Sequence, residues 1–177
     1  ALCTFATTSA GILATTAGAD QDQAILTPHL DTAATAWAGC LWGTENEVQW
    51  ETSIMLPAID NQNVWAGLKL TNVPELATDA DQAYFNFLTD ADNSGQSPIT
   101  VAANTQYHLK LEIDSDRKIA IFVNGIQYNV TSTSGSTGGT AVTTGTTKSS
   151  ALKNDVDLIP YNGIEANAGA AEALNTH

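Results

Sequence analysis

The stretch from Tyr107 to Gly125, YHLKLEIDSDRKIAIFVNG, constrains this chain more than any other. Tyr107, Leu109, Leu111 and Ile113 alternate with His108, Lys110, Glu112 and Asp114, the two-residue period of a strand with one wet face and one face turned to a core. A polar turn at Ser115, Asp116, Arg117 and Lys118 follows, and β-branched and aromatic residues resume from Ile119 to Val123. Asn124-Gly125 then supplies the positive φ angles of a type I′ turn, so the chain reverses again into a third strand, Ile126 to Val130. The pattern predicts three consecutive antiparallel strands, with Leu109, Leu111, Ile121 and one of Phe122 or Val123 deeply buried.

The rest of the chain can be ordered around this unit. Residues 1 to 45 are rich in Ala and Thr, broken by Gly11, Gly18 and Gly39, and read as short strands and loops. Trp37 to Trp42 (WAGCLW) reads as a buried strand or the approach to one. Val48, Trp50, Thr52, Ile54 and Leu56 alternate with Glu47, Gln49, Glu51, Ser53 and Met55 until Pro57 ends the strand. Past the turn cluster Asp60-Asn61-Gln62-Asn63, residues Val64, Ala66 and Leu68 point one way and Trp65, Gly67 and Lys69 the other, predicting the second strand of a hairpin. Ala83 to Leu88 and Asp157 to Ile164 read as strands, and Ile99 to Ala102 as a short one. Ala166 to Leu174 reads as a loop or one helical turn. Thr131 to Ser150 is low in complexity and too poor in large side chains to offset its ordering entropy, so it reads as a surface loop or weakly paired hairpin. Strands at such short intervals, without crossover helices, predict an all-β, two-sheet antiparallel sandwich.

Composition narrows the partners. The chain has 177 residues, 43% of them hydrophobic, enough for one domain that buries on the order of 70% of its unfolded surface. Six Lys and Arg against 19 Asp and Glu give a net charge of -13. That field repels phosphate backbones and anionic bilayers, so neither nucleic acid nor a membrane surface is expected as a partner. No apolar run approaches the roughly 18 residues of a membrane span, and the N-terminus lacks the basic flank of a signal peptide. Cys3 and Cys40 read as two buried thiols, with a disulfide between them open in an oxidising compartment. His29, His108 and His177 are too scattered for a zinc site.

Three segments then carry a likeness. VQWETSIMLPAIDNQNVWAGL (48–68), TQYHLKLEIDSDRKIAIFVNG (105–125) and DVDLIPYNGIEA (155–166) resemble, in this order, the concanavalin A-like lectin/glucanase (LamG-like) jelly roll. The version most similar is that of structural proteins of tailed bacteriophages. The resemblance implies one jelly-roll domain over 1–177. It also implies a role as capsid decoration, head fibre or tail-associated module on a virion surface, in contact with other virion proteins or copies of itself. The same fold hosts lectins and glucanases, so a carbohydrate-binding module and a glucanase relic stand as alternatives. In the jelly roll it resembles, an alanine-rich bend after LIPY leads to a strand that closes one sheet. That strand should begin where the sequence ends, at Asn175-Thr176-His177, so it is expected to be supplied by residues beyond, by residues 1 to 45 or by a neighbouring chain.

Glu47-Val48-Gln49-Trp50-Glu51 is similar to the E-x-D-x-E strand of the glucanases, with Gln49 in place of the middle acid. On a regular strand Glu47 and Glu51 stand roughly 13 Å apart, against about 5 Å for a retaining pair, so no catalysis is expected. Asp90, Asp92 and Ser94, in D-x-D-x-S-G, offer alternating oxygen ligands and a glycine turn, which suits a weak calcium site. Pro98 and Val101 at the ninth and twelfth positions exclude an EF-hand, and no other cofactor is expected. For a surface glycan the candidates are Trp65 as stacking face, with Asn63 and Lys69 beside it.

Overall fold

The computed structural model describes residues 3–28, 42–69, 82–88, 101–130, 143–167 and 169–177. In chain order the strands are β1 (Thr4–Thr8), β2 (Gly11–Thr15), β3 (Gln23–Leu26), β4 (Trp42–Gly43), β5 (Gln49–Met55) and β6 (Gln62–Lys69). They continue as β7 (Gln82–Leu88), β8 (Gln106–Ile113), β9 (Ile119–Val123), β10 (Ile126–Tyr128), β11 (Asp157–Ala166) and β12 (Ala173–Thr176). The described residues contain no helix.

The alternating unit folds as its period requires. β8 and β9 pair antiparallel with Leu109 opposite Val123 and Ile113 opposite Ile119. Asp114 shapes the first turn: its Oδ1 accepts the N–H groups of Asp116 and Lys118, each at 2.9 Å. Asn124 and Gly125 make the second at φ 51° and 78°, and the Asn124 side chain accepts the His108 N–H at 2.9 Å. Leu109, Leu111 and Val123 are fully buried. Ile121, expected among them, is only half-buried, because it pairs toward the edge strand β10, which is nowhere buried.

Two antiparallel sheets pack face to face as a jelly-roll sandwich. The larger runs β1-β2-β12-β5-β8-β9-β10, the smaller β3-β11-β6-β7, with β4 also paired to β11. Between them lies the core, built from Ile54, Leu109, Leu111, Ile113 and Leu174 on one side and Val64, Leu68, Phe85, Phe87, Leu158 and Ile164 on the other. β5 and β6 are not the hairpin their sequence predicted. β5 pairs with β8 and β12, β6 with β7 and β11, so the chain crosses between layers after Pro57. The cause is burial: β6 is buried on both faces, which suits an inner strand of the covered sheet rather than a neighbour of the half-wet β5.

Pro160 sits inside β11, a strand paired on both edges. Proline is tolerated there because one edge is shared by two short strands: β4 takes Asp157 and Leu158, β3 takes Asn162 to Glu165, and the gap between them falls at Pro160. The closing strand begins earlier than expected, at Ala173. It lies between β5 and β2, so the N-terminal hairpin β1–β2 completes that sheet. Val101 and Ala102 form no strand; the Ala102 N–H instead donates to the Tyr107 hydroxyl at 2.9 Å. The described end of the low-complexity segment follows the β9–β10 edge through one bridge, Tyr128 to Thr144, and a bond from the Val130 N–H to the Thr147 carbonyl at 2.8 Å. Weak pairing is what so few large side chains allow.

Gly125 isolates backbone strain from packing, since a Cβ added there meets nothing within 4 Å at a φ of +78°. Gly125→Ala is expected to cost about 1 kcal/mol in urea-unfolding stability, from the left-handed conformation alone.

Candidate functional site

On β6, alternation puts Trp65, Gly67 and Lys69 on the face of the smaller sheet turned away from the core; β11 adds Tyr161 and Gly163 to that face. The register pairs each aromatic with a glycine: Trp65 faces Gly163 and Tyr161 faces Gly67. An aromatic ring can lie flat over a glycine because no Cβ intervenes. Trp65 also packs with Tyr161 and Ile25, and the Lys69 ammonium stands 5.4 Å from the Tyr161 ring centre. Trp65 is 6% exposed and Lys69 2%. The expected glycan-stacking group is thus closed to solvent at two of its three positions. Asn63, half-buried, has its Oδ1 occupied by the Asn86 Nδ2 at 2.6 Å. Asp90, Asp92 and Ser94 lie outside the described residues. Among the described residues no cluster of three His, Cys, Asp or Glu side chains could hold a metal ion.

Glu51 points to the outer face of the larger sheet, where Lys110 stands 3.6 Å and His108 3.4 Å from its carboxylate. Lys110 also meets Glu112 at 2.6 Å, and that carboxylate, with Glu51, holds the ammonium above its ordinary range. Glu47 precedes the strand, at φ 51°. Cys3 is a thiol, half-buried and donating to the Gln23 carbonyl at 2.7 Å. Cys40 lies outside the described residues. Trp42 and Trp50, expected in the core, sit half-buried against it.

Sequence reasoning missed a cleft of about 490 Å³ between the sheets. Gly11, Ile12, Trp50, Glu51, Thr52, Thr176 and His177 of the larger sheet line one side, and Leu26, Thr27, Pro28, Pro160, Tyr161 and Asn162 the other. The volume lies within the roughly 300–1,000 Å³ of small-ligand sites. Asn162 and Thr52 bridge the layers at its floor, the Asn162 Nδ2 donating to the Thr52 Oγ1 at 3.2 Å. Asn162 is 9% exposed and its Oδ1 has no hydrogen-bond partner. A buried amide oxygen left so is costly and marks a polar point in an otherwise apolar wall.

No protein-family model matches the chain, and no curated protein matches it. Among solved structures it is similar to a protein of unknown function from Shewanella oneidensis MR-1, with TM-score 0.53 and 11% identity over 99% of this chain and 72% of that one. It is also similar to the alginate lyase from Corynebacterium sp., with TM-score 0.49 and 12% identity over 97% and 77% of the two chains. The carbohydrate recognition domain of Emp46p, potassium-bound, gives TM-score 0.45 and 7% identity over 99% and 86%. At these identities the likeness is one of fold.

Two expectations follow from the packing. At Gly67 an added Cβ would fall onto the Ala83 carbonyl and within 2.6 Å of the Tyr84 Cα, whereas at Gly163 its nearest neighbours stand at 3.4 Å and beyond. Gly67→Ala is therefore expected to cost at least about 2 kcal/mol and Gly163→Ala less than about 1 kcal/mol, measured by urea unfolding. The second concerns Glu172, which is buried and whose carboxyl is raised above its ordinary range by that burial, with the Asp60 charge adding to it. An acid that holds its proton more tightly folded than unfolded stabilises the fold at low pH, and this is lost as pH rises through the folded value. Glu172→Gln is expected to melt above the parent at pH 7, the gap closing below about pH 4.

Proposed function

We propose that this chain is a non-enzymatic architectural protein of a tailed-bacteriophage virion, placed on the particle surface as capsid decoration, head fibre or tail-associated module and working through protein–protein contacts. The single observation that carries this reading is β1. All five of its residues, Thr-Phe-Ala-Thr-Thr, are exposed at the rim of the larger sheet, with no charge or proline among them and Phe5 half open to solvent. An edge strand left this way is an adhesive surface that a solitary protein would guard with Lys, Pro or a bulge. The sequence resemblance supplies the kind of particle. The pairing of Glu51 with Lys110 and His108 supports a role without hydrolysis.

A second reading, binding of a neutral surface glycan, is favoured by Trp50, half-buried in the cleft wall beside Thr52 and Asn162, an aromatic with polar groups near it.

The test is to purify particles from cells that make this protein and locate it by mass spectrometry and image reconstruction. Stoichiometric copies on the particle, released by Phe5→Lys, are the expected result. Absence from particles, together with glycan-array binding abolished by Trp50→Ala, would replace the first reading by the second.

A further inference from the structure

β1 forms one rim of the larger sheet and β10 the other, and the two are finished differently. Residues 143–149 close the β10 rim. The Gly145 N–H donates to the Gln127 carbonyl at 3.1 Å. Past the end of the β10 ladder, the Ile119 N–H donates to the Ser149 Oγ at 2.8 Å and the Ser149 N–H to the Ile119 carbonyl at 3.0 Å. Along the outer edge of β1, among the described residues, no such segment runs, and all five residues of the strand are exposed. Cys3, packed against the core with its thiol on the Gln23 carbonyl, brings the chain into β1 from between the sheets.

Register decides which groups that edge offers. Thr16, one step past β2, donates its N–H to the Glu172 carbonyl at 2.9 Å, on the β12 side. Backbone groups alternate between the two edges of a strand, so Ala14 and Ile12 also face β12, and Gly11, Leu13 and Thr15 face β1. These pair with Thr8, Ala6 and Thr4, which leaves the N–H and C=O groups of Phe5 and Thr7 turned outward. Phe5 stands opposite the buried Ala14, so its ring lies on the core side of the sheet, where the smaller sheet leaves it 50% exposed. No Asp, Glu, Lys or Arg precedes Asp20, although the whole chain carries a net charge of -13.

We propose that β1 pairs antiparallel with β1 of a second copy of this chain about a two-fold axis through Ala6, joining the larger sheets of both copies into one. In that register Phe5 faces Thr7 of the second copy and Thr7 faces its Phe5. Each pair exchanges both main-chain hydrogen bonds, so the outward groups of the strand are satisfied. The two Phe5 rings fall on one face at the diagonal spacing of about 7–8 Å, within reach of each other. Two independent features choose a second copy. The outward groups and the exposed ring of β1 complement themselves under this two-fold. A strand without charge is also where two chains of -13 meet with least repulsion, whereas a cationic partner finds no acid on it. With five residues a side the contact is far smaller than a standard interface of about 800 Å² per partner, so it is weak in dilute solution and fills where copies are crowded, as on a particle. In taking β1 as the adhesive surface, the pairing rests on the architectural reading above.

The experiment follows the mass of the chain by sedimentation equilibrium into the millimolar range and its amide exchange by NMR. The mass is expected to rise from 18.5 kDa toward a dimer, and more so at high salt, which screens the repulsion between like charges. Exchange at Phe5 and Thr7 is expected to slow by about tenfold as the dimer fills. Thr7→Pro, which deletes an outward N–H, is expected to keep the chain monomeric. Thr7→Asp, at an exposed site that leaves the backbone intact, puts a carboxylate on each side of the seam, is expected to do the same, and serves if the proline variant does not fold. Register is read by mild oxidation. Ala6→Cys, on the axis, is expected to cross-link the copies, while Thr8→Cys, set roughly 13 Å along the strands from its twin, is not. A parent chain monomeric throughout, a dimer that Thr7→Asp leaves intact or that salt weakens, or equal cross-linking of the two cysteine variants would overturn the proposal. A monomer found on particles overturns the pairing alone; a dimer absent from particles overturns the architectural reading and leaves the pairing standing.

Discussion

Everything in the smaller sheet depends on β11 being covered on both faces and paired along both edges. A strand so placed cannot alternate wet and dry residues, and Leu158, Ile159, Tyr161, Ile164 and Ala166 are all buried. Its bulk must then be accommodated on the side away from the core, and the register helps by setting Tyr161 opposite Gly67 and Trp65 opposite Gly163, where the Trp65 ring comes within 3.4 Å of the place a Cβ would take. The same constraint sets where proline can stand, since only the gap between β3 and β4 leaves an edge of β11 without a ladder partner. It also explains the one polar residue on its inner face, Asn162, whose amide reaches Thr52 of the opposite sheet and so ties the two layers by a directional bond rather than by apolar contact alone.

The larger sheet lives under the opposite regime. Its middle strands cover the core with one face and show water the other, and its flanks outrun the smaller sheet. Ile121 is half-buried for this reason, β10 has no buried residue and β1 none at all. A seven-stranded sheet over a five-stranded one leaves rims that only a partner or a charged guard can make safe. Charged side chains line β8, its turn to β9 and the neighbouring Glu51, whereas β1 carries none. Contact along strand edges is therefore the interaction this architecture makes available, whatever particle or surface supplies the other half.

How much of this could be read beforehand follows the physical range of each signal. The β8–β9–β10 meander was legible because its determinants are local: a period of two, an Asx-type turn at Asp114 and Asn-Gly at 124–125. The Trp-x-Gly of 65–67 and the Tyr-x-Gly of 161–163 were on the page as well, but the register that lays each aromatic over the other strand's glycine is a long-range fact. Alternation separated Trp65 from Val64 and Ala66 correctly and could not say that both faces would be closed. The hairpin read between β5 and β6 failed because adjacency in sequence is a good guide to pairing only when both strands want the same environment. The cleft was invisible for a plainer reason. Its walls come from residues 11–12, 26–28, 50–52, 160–162 and 176–177, five separate pieces whose only common property is where the fold delivers them.

Electrostatics closes the question of what such rims can accept. The chain has six Lys and Arg side chains, and most of them meet partners within the fold. Lys69 lies buried against Tyr161, and Lys110 is held by Glu112 and Glu51. Arg117 donates to the Leu152 carbonyl at 3.1 Å, Lys118 stands 3.9 Å from Asp116, Lys148 stands 2.8 Å from Asp114, and Lys153 is engaged as well. The Asp114–Lys148 pair is mutual, holding the carboxyl below and the ammonium above their ordinary ranges, and it pins the segment after residue 143 to the β8–β9 turn. With 19 acids against six Lys and Arg, the chain presents a partner with an excess of negative charge, beside exposed apolar side chains such as Phe5 and Ile126. A partner drawn by charge must bring the cations itself, and attraction between such surfaces is long-ranged at low salt and screened within about 10 Å at 0.1 M. Electrostatics can steer an encounter with a cationic surface, while short-range packing and hydrogen bonds decide whether a contact lasts.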